Sequence, residues 1–387
     1  MKSAVPSLGR PLPVALALAA AAMGVPQLAF AQAVFELHPS VSLAHLHDSN
    51  VFSTASDRQS DFITRLTPTV ETSYRTLPLV LSGRYTVDLE KFVSHPELTR
   101  PDARQQGTAA LAYRPSSRFS LAADMEVSRT RTPGDFSLET GLILPRARAS
   151  RTAAHAALTR QFAPRINGVV EYSFRDDSVE RGLTVRNQAA AVKAGRRLSP
   201  RVSMGVDYRV ERYLFGPSTG APRSSVMSHT LSAGWRRSMT PRVSLALGAG
   251  PRLTDRSMTP DVSASVQYRG ADAGLSLSYG RSQTTVIGVA APVDTESVTG
   301  AAAWTLTRDV TVRLTPAFFQ SRLEGLRANA YRVAIGLAHT FTKHLALDVT
   351  FDTTIQRGHL HPVRDGAAIT RHTALVSLVA APSGPPR

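Results

Sequence analysis

The stretch DFITRLTPTVETSYR, from Asp61 to Arg75, alternates between apolar and polar residues. Phe62 and Leu66 fall on one face of this stretch and Arg65 falls on the other. A period of two is typical of a β-strand with one apolar face and one polar face. The stretch is therefore predicted to be a strand. Two further stretches show the same pattern: Leu79–Val93 and Leu345–Gln356.

Short turns separate the alternating stretches at regular intervals. The turns SPRVSMGV (Ser199–Val206) and TPRVSLAL (Thr240–Leu247) are variants of one motif, in which proline presets the backbone of a tight turn. Successive turns of this kind lie about 35 to 47 residues apart, as in repeated supersecondary units. Short turns that alternate with longer connections predict an up-and-down meander. The longer connections are rich in glycine, proline and aspartate: His95–Arg104, Pro133–Ser150, Gly216–Arg223, Val286–Asp294 and Arg357–Ala368.

The pattern predicts about 18 strands of about 10 to 14 residues, which are long enough to cross a bilayer at a tilt. An even number of strands brings both ends of the chain to the same side of the membrane. Pro68 and Pro316 fall inside predicted strands and weaken the ladder there. The predicted starts are near Pro39, Asp61, Leu79, Gln105, Arg118, Arg151, Asn167, Val185, Val202, Val226, Arg242, Asp261, Ala273, Ser297, Val310, Ala330, Leu345 and Thr370.

The N-terminus indicates export. Lys2 and Arg10 form a basic region, an alanine- and leucine-rich run follows, and Ala29-Phe30-Ala31 gives a small-x-small cleavage box. These are the parts of a secretory signal peptide, predicted here as residues 1–31. One barrel domain is predicted for residues 32–380, and a disordered tail for residues 381–387. The 387 residues contain no cysteine, which excludes a disulfide framework and thiolate ligands.

A soluble propeller or sandwich is the alternative to a membrane barrel. Soluble sheets pack bulky side chains in a shared core, whereas the apolar face here is diluted, for example by Gly300 and Ala302. A lipid-facing band tolerates this dilution, and a sheet survives in hydrocarbon only as a closed barrel. Aromatic residues such as Phe119 and Trp235 lie toward strand ends, as an interfacial girdle requires. The predicted fold is therefore all-β: a closed up-and-down antiparallel transmembrane β-barrel of about 18 strands, with 16 or 20 as alternatives, short periplasmic turns and longer extracellular loops.

The first predicted strands resemble a known family. PSVSLAHLHDSNVF (Pro39–Phe52) followed by SDFITRLTPTVETSYR (Ser60–Arg75) is similar to the opening of outer-membrane β-barrel porins encoded in exopolysaccharide and capsule gene clusters of Gram-negative bacteria. The resemblance covers about the first 45 mature residues and otherwise extends only to barrel patterning. It implies location in the outer membrane and carries over no catalytic residue. The C-terminal sequence TALVSLVAAPSGPPR departs from the usual closing strand, which ends on an aromatic residue.

If the apolar face meets lipid, the polar face lines the lumen. Acidic residues concentrate in the first half of the chain and arginines in the second, although the formal net charge of the whole chain is +16. These charges are predicted either to line a pore or to pair with each other and hold the barrel round, since buried charges need partners. The two roles can coexist. The predicted pore-lining residues are Arg65, Glu71, Arg84, Asp88, Glu90, Asp124, Glu126, Glu171, Asp207, Arg209, Glu211, Arg236, Arg269, Arg313, Arg332, Asp348 and Asp352.

The longest predicted loop, Pro133–Ser150, contains the apolar run Leu142–Leu144. An apolar run is unfavourable in a loop exposed to water, so the loop is predicted to fold into the lumen and constrict it. A loop that covers the rim or binds a partner is the alternative. The predicted constriction residues are Asp135, Glu139, Arg146 and Arg148.

Two His-x-His motifs lie near opposite ends of the chain. Closure of the barrel would bring His45 and His47 to the same side as His359 and His361, and each pair could chelate a divalent ion. Imidazoles alone are a weak signal for a metal site, so the alternative is that these positions only mark strand ends. Asp48-Ser49-Asn50 is interpreted as a turn in which the side chains bond to nearby backbone.

The sequence predicts a porin-like channel for polar or sugar-type solutes, associated with exopolysaccharide export. The alternative is a non-conducting scaffold of a polysaccharide machine, and an outer-membrane lipid-modifying enzyme is a weaker one. No nucleophile elbow or catalytic spacing is present, so the chain is not expected to be an enzyme and no cofactor is expected. The expected partners are outer-membrane lipid, lipopolysaccharide and an oligosaccharide or polysaccharide solute, but not nucleic acid. A homo-oligomer is left open.

Overall fold

The computed structural model describes residues 33–137, 139–180, 182–217, 224–255, 257–360 and 368–381. These residues form one closed antiparallel barrel of 18 strands, which confirms the predicted fold class. The predicted signal peptide and residues 382–387 of the predicted tail lie outside the described residues, so the predicted domain limits stay predictions. The strands are β1 (Val34–Asp48), β2 (Asp61–Arg75), β3 (Leu79–Phe92), β4 (Arg100–Ser116), β5 (Phe119–Thr130), β6 (Ala149–Ala163), β7 (Ile166–Val179), β8 (Leu183–Ser199), β9 (Val202–Pro217), β10 (Ser224–Ser238), β11 (Val243–Thr254), β12 (Ser257–Arg269), β13 (Ala273–Thr284), β14 (Val293–Thr307), β15 (Val310–Leu323), β16 (Leu326–Thr342), β17 (Leu345–Gly358) and β18 (Ile369–Ala380).

Each strand pairs with its neighbours in the sequence, and the first and last strands close the ring. The β1–β18 ladder runs from Val41↔Ala380 to Asp48↔Thr373. The strands are 12 to 17 residues long, and several begin before their predicted start. Val34 rather than Pro39 begins β1, for example. The backbone ladder continues past the apolar band into the rims, where the alternation that marks a strand in the sequence fades.

Prolines inside strands fall where the ladders are interrupted. The β2–β3 pairing stops at Leu66↔Leu89 and resumes at Thr69↔Thr86, which leaves Pro68 without a β3 partner. Pro316 lies in the corresponding gap between β14 and β15. A residue without a backbone N–H is tolerated at such gaps, as the sequence predicted.

The connections at the two ends of the barrel differ in length. Turns at the end that carries both described termini are short, whereas loops such as 49–60, 131–148 and 285–292 are long. In the orientation typical of outer-membrane barrels, the short turns are periplasmic. Three extracellular connections are as short as the periplasmic turns, contrary to the expected asymmetry: 180–182, 255–256 and 324–325. Glu324 and Gly325 both have positive φ, the geometry of a two-residue hairpin turn.

The outer face of the barrel is apolar. Phe62, Leu66 and Val70 of β2 all point outward and are exposed. This apolar face and the closed ladder place the chain in the outer membrane of a Gram-negative bacterium, as predicted.

Helical structure in the described part of the chain is limited to two short 3-10 turns, Pro96–Leu98 and Pro133–Phe136. Among the described residues, no helix has the length and apolar character needed to cross a membrane.

Candidate functional site

The structure places the predicted pore-lining residues on the inward-facing positions of their strands. Their outward neighbours are the exposed apolar residues of the lipid face, for example Tyr208 beside Asp207 and Tyr331 beside Arg332. Many of them pair with an opposite charge on the next strand, such as Arg332 of β16 with Asp352 of β17 at 2.6 Å. Pairing and lining therefore occur together. Their role in conduction stays a prediction.

The inward side chains are open at one end of the barrel and buried at the other. On β3, the side chain of Arg84 in the periplasmic half is 55% exposed, whereas that of Glu90 in the extracellular half is 7% exposed. On β5, the side chain of Asp124 is 63% exposed and Thr130 is buried. The lumen is therefore open toward the periplasm and filled toward the outside.

The connection between β5 and β6, residues 131–148, fills part of the extracellular half of the lumen. We call this connection the inward loop. Glu139 of this loop accepts hydrogen bonds from Arg175 of β7 at 3.1 Å and from Thr284 of β13 at 2.6 Å. The backbone N–H of Ile143 donates to Oε1 of Gln356 on β17 at 2.7 Å. Since β7, β13 and β17 lie on different sides of the barrel, the inward loop crosses the lumen.

The apolar run of the inward loop packs inside the barrel. Leu142 is buried in a cluster with Val286 and Val289, which belong to the loop between β13 and β14. Phe136 packs against Ile287 of that same loop. Burial in the lumen explains why an extracellular loop carries an apolar run.

Gly141 of the inward loop lies close against the barrel wall. Its φ is +62°, and a Cβ atom there would lie 2.4 Å from the ring of Phe319 on β15. Only glycine accepts both this backbone conformation and this close approach without strain.

A charged cluster lies beside the inward loop, where β1, β2, β3 and β18 meet. Arg65 contacts Glu90 at 2.6 Å, and Arg371 forms a forked contact with Asp48 whose shortest distance is also 2.6 Å. Asp88 lies 3.9 Å from Arg65. Charge-assisted and forked pairs of this kind are the strong class of polar contact.

Two predicted constriction residues join this cluster. Arg146 lies 3.8 Å from Glu90, and its guanidinium stacks 4.9 Å from the ring centre of Phe92. Asp135 accepts a hydrogen bond from Thr130 at 3.2 Å. The cavity between these side chains holds about 80 Å³, which is room for a few water molecules because one water needs about 10–15 Å³.

The surroundings of the inward loop shift two of its ionisable groups. Burial alone raises the pKa of Glu139, but Arg175 and the hydrogen bond from Thr284 outweigh it and hold the pKa below its ordinary value. Burial lowers the pKa of Arg146. Glu139 is therefore held as a carboxylate by its two wall contacts.

The predicted constriction residues do not share one role. Asp135, Glu139 and Arg146 contact or face the walls, as described above. Arg148 lies in the last residues of the inward loop, where its carbonyl accepts a backbone hydrogen bond from Glu180 at 2.8 Å.

Several inward-facing charged residues were missed by the sequence prediction. Arg151 and Asp177 form a forked pair at 2.7 and 2.8 Å, and Arg175 binds the inward loop. Parity could have identified Arg175 and Asp177, since each lies an even number of positions from the predicted lumen residue Glu171. No predicted lumen residue lies on the strand of Arg151. Asp48 and Arg371 could not be paired from the sequence, because only closure of the barrel brings them together.

The four histidines of the predicted metal site are not gathered by the described structure. His45 and His47 point outward, where His45 contacts Thr64 at 3.2 Å and His47 packs on Phe62. His359 lies in the loop before β18, and His361 lies outside the described residues. The described residues contain no group of three or more potential metal ligands.

The turn that follows β1 is built as predicted. Asp48 accepts the backbone N–H of Asn50 at 3.0 Å, and Asn50 accepts that of Thr54 at 3.0 Å. Asp48 has a second role that the sequence did not indicate, because it also holds Arg371 of the last strand.

Comparison with known proteins identifies similar barrels. No protein-family model and no curated protein matches the sequence. The siderophore receptor PirA from Pseudomonas aeruginosa aligns with 10% identity over 89% of this chain and 80% of its own, with a TM-score of 0.45. The ferric enterobactin receptor PfeA from the same organism aligns with 9% identity over 90% and 82%, with a TM-score of 0.47. The FrpB iron transporter from Neisseria meningitidis aligns with 9% identity over 87% and 66%, with a TM-score of 0.47. At these identities the likeness concerns the fold alone.

The comparison corrects the predicted function. The similar structures are siderophore receptors and an iron transporter, so the prediction of a porin for sugar-type solutes or a scaffold of a polysaccharide machine is wrong. The part of the family resemblance that holds is the outer-membrane barrel, and nothing links the chain to exopolysaccharide gene clusters. That the chain is not an enzyme stays a prediction.

Proposed function

We propose that the chain is a gated transport protein of the outer membrane, in which the barrel is the path and the inward loop is the gate. The observation that carries this proposal is the set of contacts between the inward loop and the walls. Glu139 bonds to β7 and β13, and Ile143 bonds to β17. A solute cannot pass the extracellular half until these contacts open.

The chemistry of the contacts suits a movable element. The inward loop is held by polar bonds and by apolar packing against a second loop, and none of its described residues belongs to a strand. Bonds of this kind contribute about 0.5–1.5 kcal/mol each, so a small set can form and break during function. Loops with such local stability are the elements that open and close over transport and binding sites.

The periplasmic half supports the same proposal. Its inward side chains, such as those of Arg84 and Asp124, are exposed to the lumen. The closed segment is therefore confined to the extracellular half, beside a cavity that holds only a few waters. Once the inward loop leaves the lumen, water and small ions have a continuous path.

Deletion of Ser137–Pro145 tests the proposal in planar bilayers. The deletion removes the contacts of Glu139 and Ile143 together with the buried Leu142. The expected result is a several-fold rise in single-channel conductance over the intact chain. Arg186→Gln is a suitable control, because Arg186 faces outward and pairs with Asp176. A deletion variant that folds into a heat-modifiable barrel and conducts like the intact chain would contradict the proposal.

A further inference from the structure

We propose that the outer surface of β13–β17, at the extracellular end, binds the phosphate groups of lipopolysaccharide. This surface is named the arginine patch, and it consists of Arg281, Arg322, Arg327 and Arg357 with the polar side chains between them. It faces the surrounding membrane and is separate from the lumen and the inward loop.

The strand register places these arginines within two residues of one row of paired positions, near the extracellular ends of their strands. Arg322 of β15 is directly opposite Arg327 of β16. Arg281 of β13 is opposite Glu296 of β14, and Arg357 of β17 is opposite Asn329 of β16. The patch therefore spans five adjacent strands at the extracellular rim.

Alternation along the strands shows that the patch faces outward. Tyr279, Val298 and Tyr331 are exposed residues of the lipid face. Arg281, Glu296 and Arg327 lie an even number of residues from them along the same strands, so they share that face. Arg357 shares its face with the exposed Phe351 in the same way.

The patch carries more positive than negative charge. Glu296 is shared between Arg281 at 3.6 Å and Arg322 at 3.8 Å, so neither arginine has a close carboxylate of its own. Asp294 lies nearby, but it is bound to the buried Arg252 at 2.5 Å. Among the described residues of this rim, Glu324 is a further acidic residue, at the tip of the β15–β16 turn. In the described part of this rim, four guanidinium groups of the arginine patch therefore face two glutamates.

Polar neighbours hold the arginines in place. Arg322 donates to Gln320, and Arg327 donates to Asn329 at 3.3 Å. Gln320 in turn donates to Asn329 at 3.1 Å, and Gln320 is buried by its neighbours. Side chains fixed in this way lose less conformational freedom when they bind a ligand.

Aromatic residues lie on the membrane side of the patch. Phe318 and Tyr331 face each other across β15 and β16 with ring centres 5.0 Å apart. They lie two residues from Gln320 and Asn329, on the side toward the membrane. Tyr279 is two residues from Arg281 on β13. Aromatic side chains mark the boundary between hydrocarbon and headgroups, so the arginine patch lies at the height of the headgroups.

The chemistry of the patch matches a phosphorylated glycolipid. Guanidinium groups recognise phosphate with two parallel hydrogen bonds, and the adjacent aromatics contact acyl chains and sugar. Elsewhere on the outer face, Arg186 is matched to its own carboxylate at 2.6 Å from Asp176 and stacks on Phe174. The unmatched charge of the arginine patch therefore needs an anion from the membrane, and the outer leaflet supplies lipopolysaccharide.

Binding of lipid A to the purified full-length barrel in detergent tests the proposal. We expect Arg322→Gln with Arg327→Gln to weaken binding by about tenfold or more, since each arginine near an anionic surface contributes on the order of 1 kcal/mol. Arg281→Gln with Arg357→Gln is an independent second variant and should weaken binding similarly. Arg186→Gln is the matched control and should bind like the intact chain.

Two further ligands separate the sources of phosphate. Lipid A without phosphate groups should bind much more weakly than the bisphosphorylated form, and inorganic phosphate should not compete at equal concentration. Any of three results would overturn the proposal. The first is that both double variants bind lipid A as tightly as the intact chain does. The others are that lipid A without phosphate groups, or inorganic phosphate, binds the intact chain as tightly as bisphosphorylated lipid A does.

Discussion

Glu139 is the residue whose charge holds the inward loop in place. The carboxylate accepts hydrogen bonds from Arg175 and Thr284, and these contacts lower its pKa despite its partial burial. A carboxyl group with a lowered pKa stabilises the bound state above its ordinary pKa and loses that contribution as the pH falls through the lowered value. The state in which the inward loop lies across the lumen should therefore lose stability only in acid.

We expect the open probability of the intact chain in planar bilayers to rise as the pH falls below about 4, where an unbound glutamate protonates. Glu139→Gln should raise the open probability at neutral pH and remove this acid response. Asp124→Asn is a suitable control, because Asp124 is exposed in the periplasmic half of the lumen and does not touch the inward loop. An acid response of unchanged size in Glu139→Gln would show that another group controls opening.

At the scale of strands, an ion pair with a buried carboxylate joins the closing pair β1–β18. Asp48 is 1% exposed and receives three contacts from Arg371, at 2.6, 3.1 and 3.1 Å. Loss of Asp48 leaves Arg371, whose side chain is 25% exposed, without its carboxylate, which costs more than the loss of a fully exposed pair. The same junction also contains the ladder from Val41↔Ala380 to Asp48↔Thr373 and the bond between Ser42 and Ser377, so the ion pair is one of several contacts that close the ring.

Asp48→Asn should therefore lower the temperature at which the folded barrel loses its compact mobility on SDS gels. The matched control is Glu71→Gln, whose partner Arg84 is half-exposed at 3.4 Å. An exposed pair of this kind contributes about 0–1 kcal/mol, so the control should melt close to the intact chain. Equal melting temperatures for the two variants would mean that the seam does not depend on Asp48.

The strands themselves are the part of the molecule that the sequence predicts best. Alternation and turn chemistry are local signals, and they predict the starts of β2, β3, β9, β13, β15 and β17 at the residues where these strands begin. They also predict which side chains face the lumen, because every second residue of a strand lies on the same face of the sheet. The rims are predicted less well, since the ladder continues there without an alternating pattern.

At the scale of the whole barrel, the contacts that close the lumen could not be predicted. The run Leu142–Leu144 indicates that the loop is buried, but its partners Arg175, Thr284 and Gln356 lie on strands far apart in the sequence. Which of them it reaches depends on the circumference of the barrel. The pairing of Asp48 with Arg371 likewise requires closure of the ring. The function predicted from the sequence was also wrong, because a strand pattern indicates the fold and does not identify a solute.

The central claim is that the inward loop must move for the barrel to conduct. The chain has no cysteine, so Ile143→Cys with Gln356→Cys would carry the only two thiols, at positions whose backbone N–H and side-chain oxygen are 2.7 Å apart. A short, reducible thiol cross-linker between them fixes the inward loop to β17. Single-channel recording of this variant should show a closed barrel when cross-linked and openings after reduction. Openings of the same size and frequency in both states would contradict the gate.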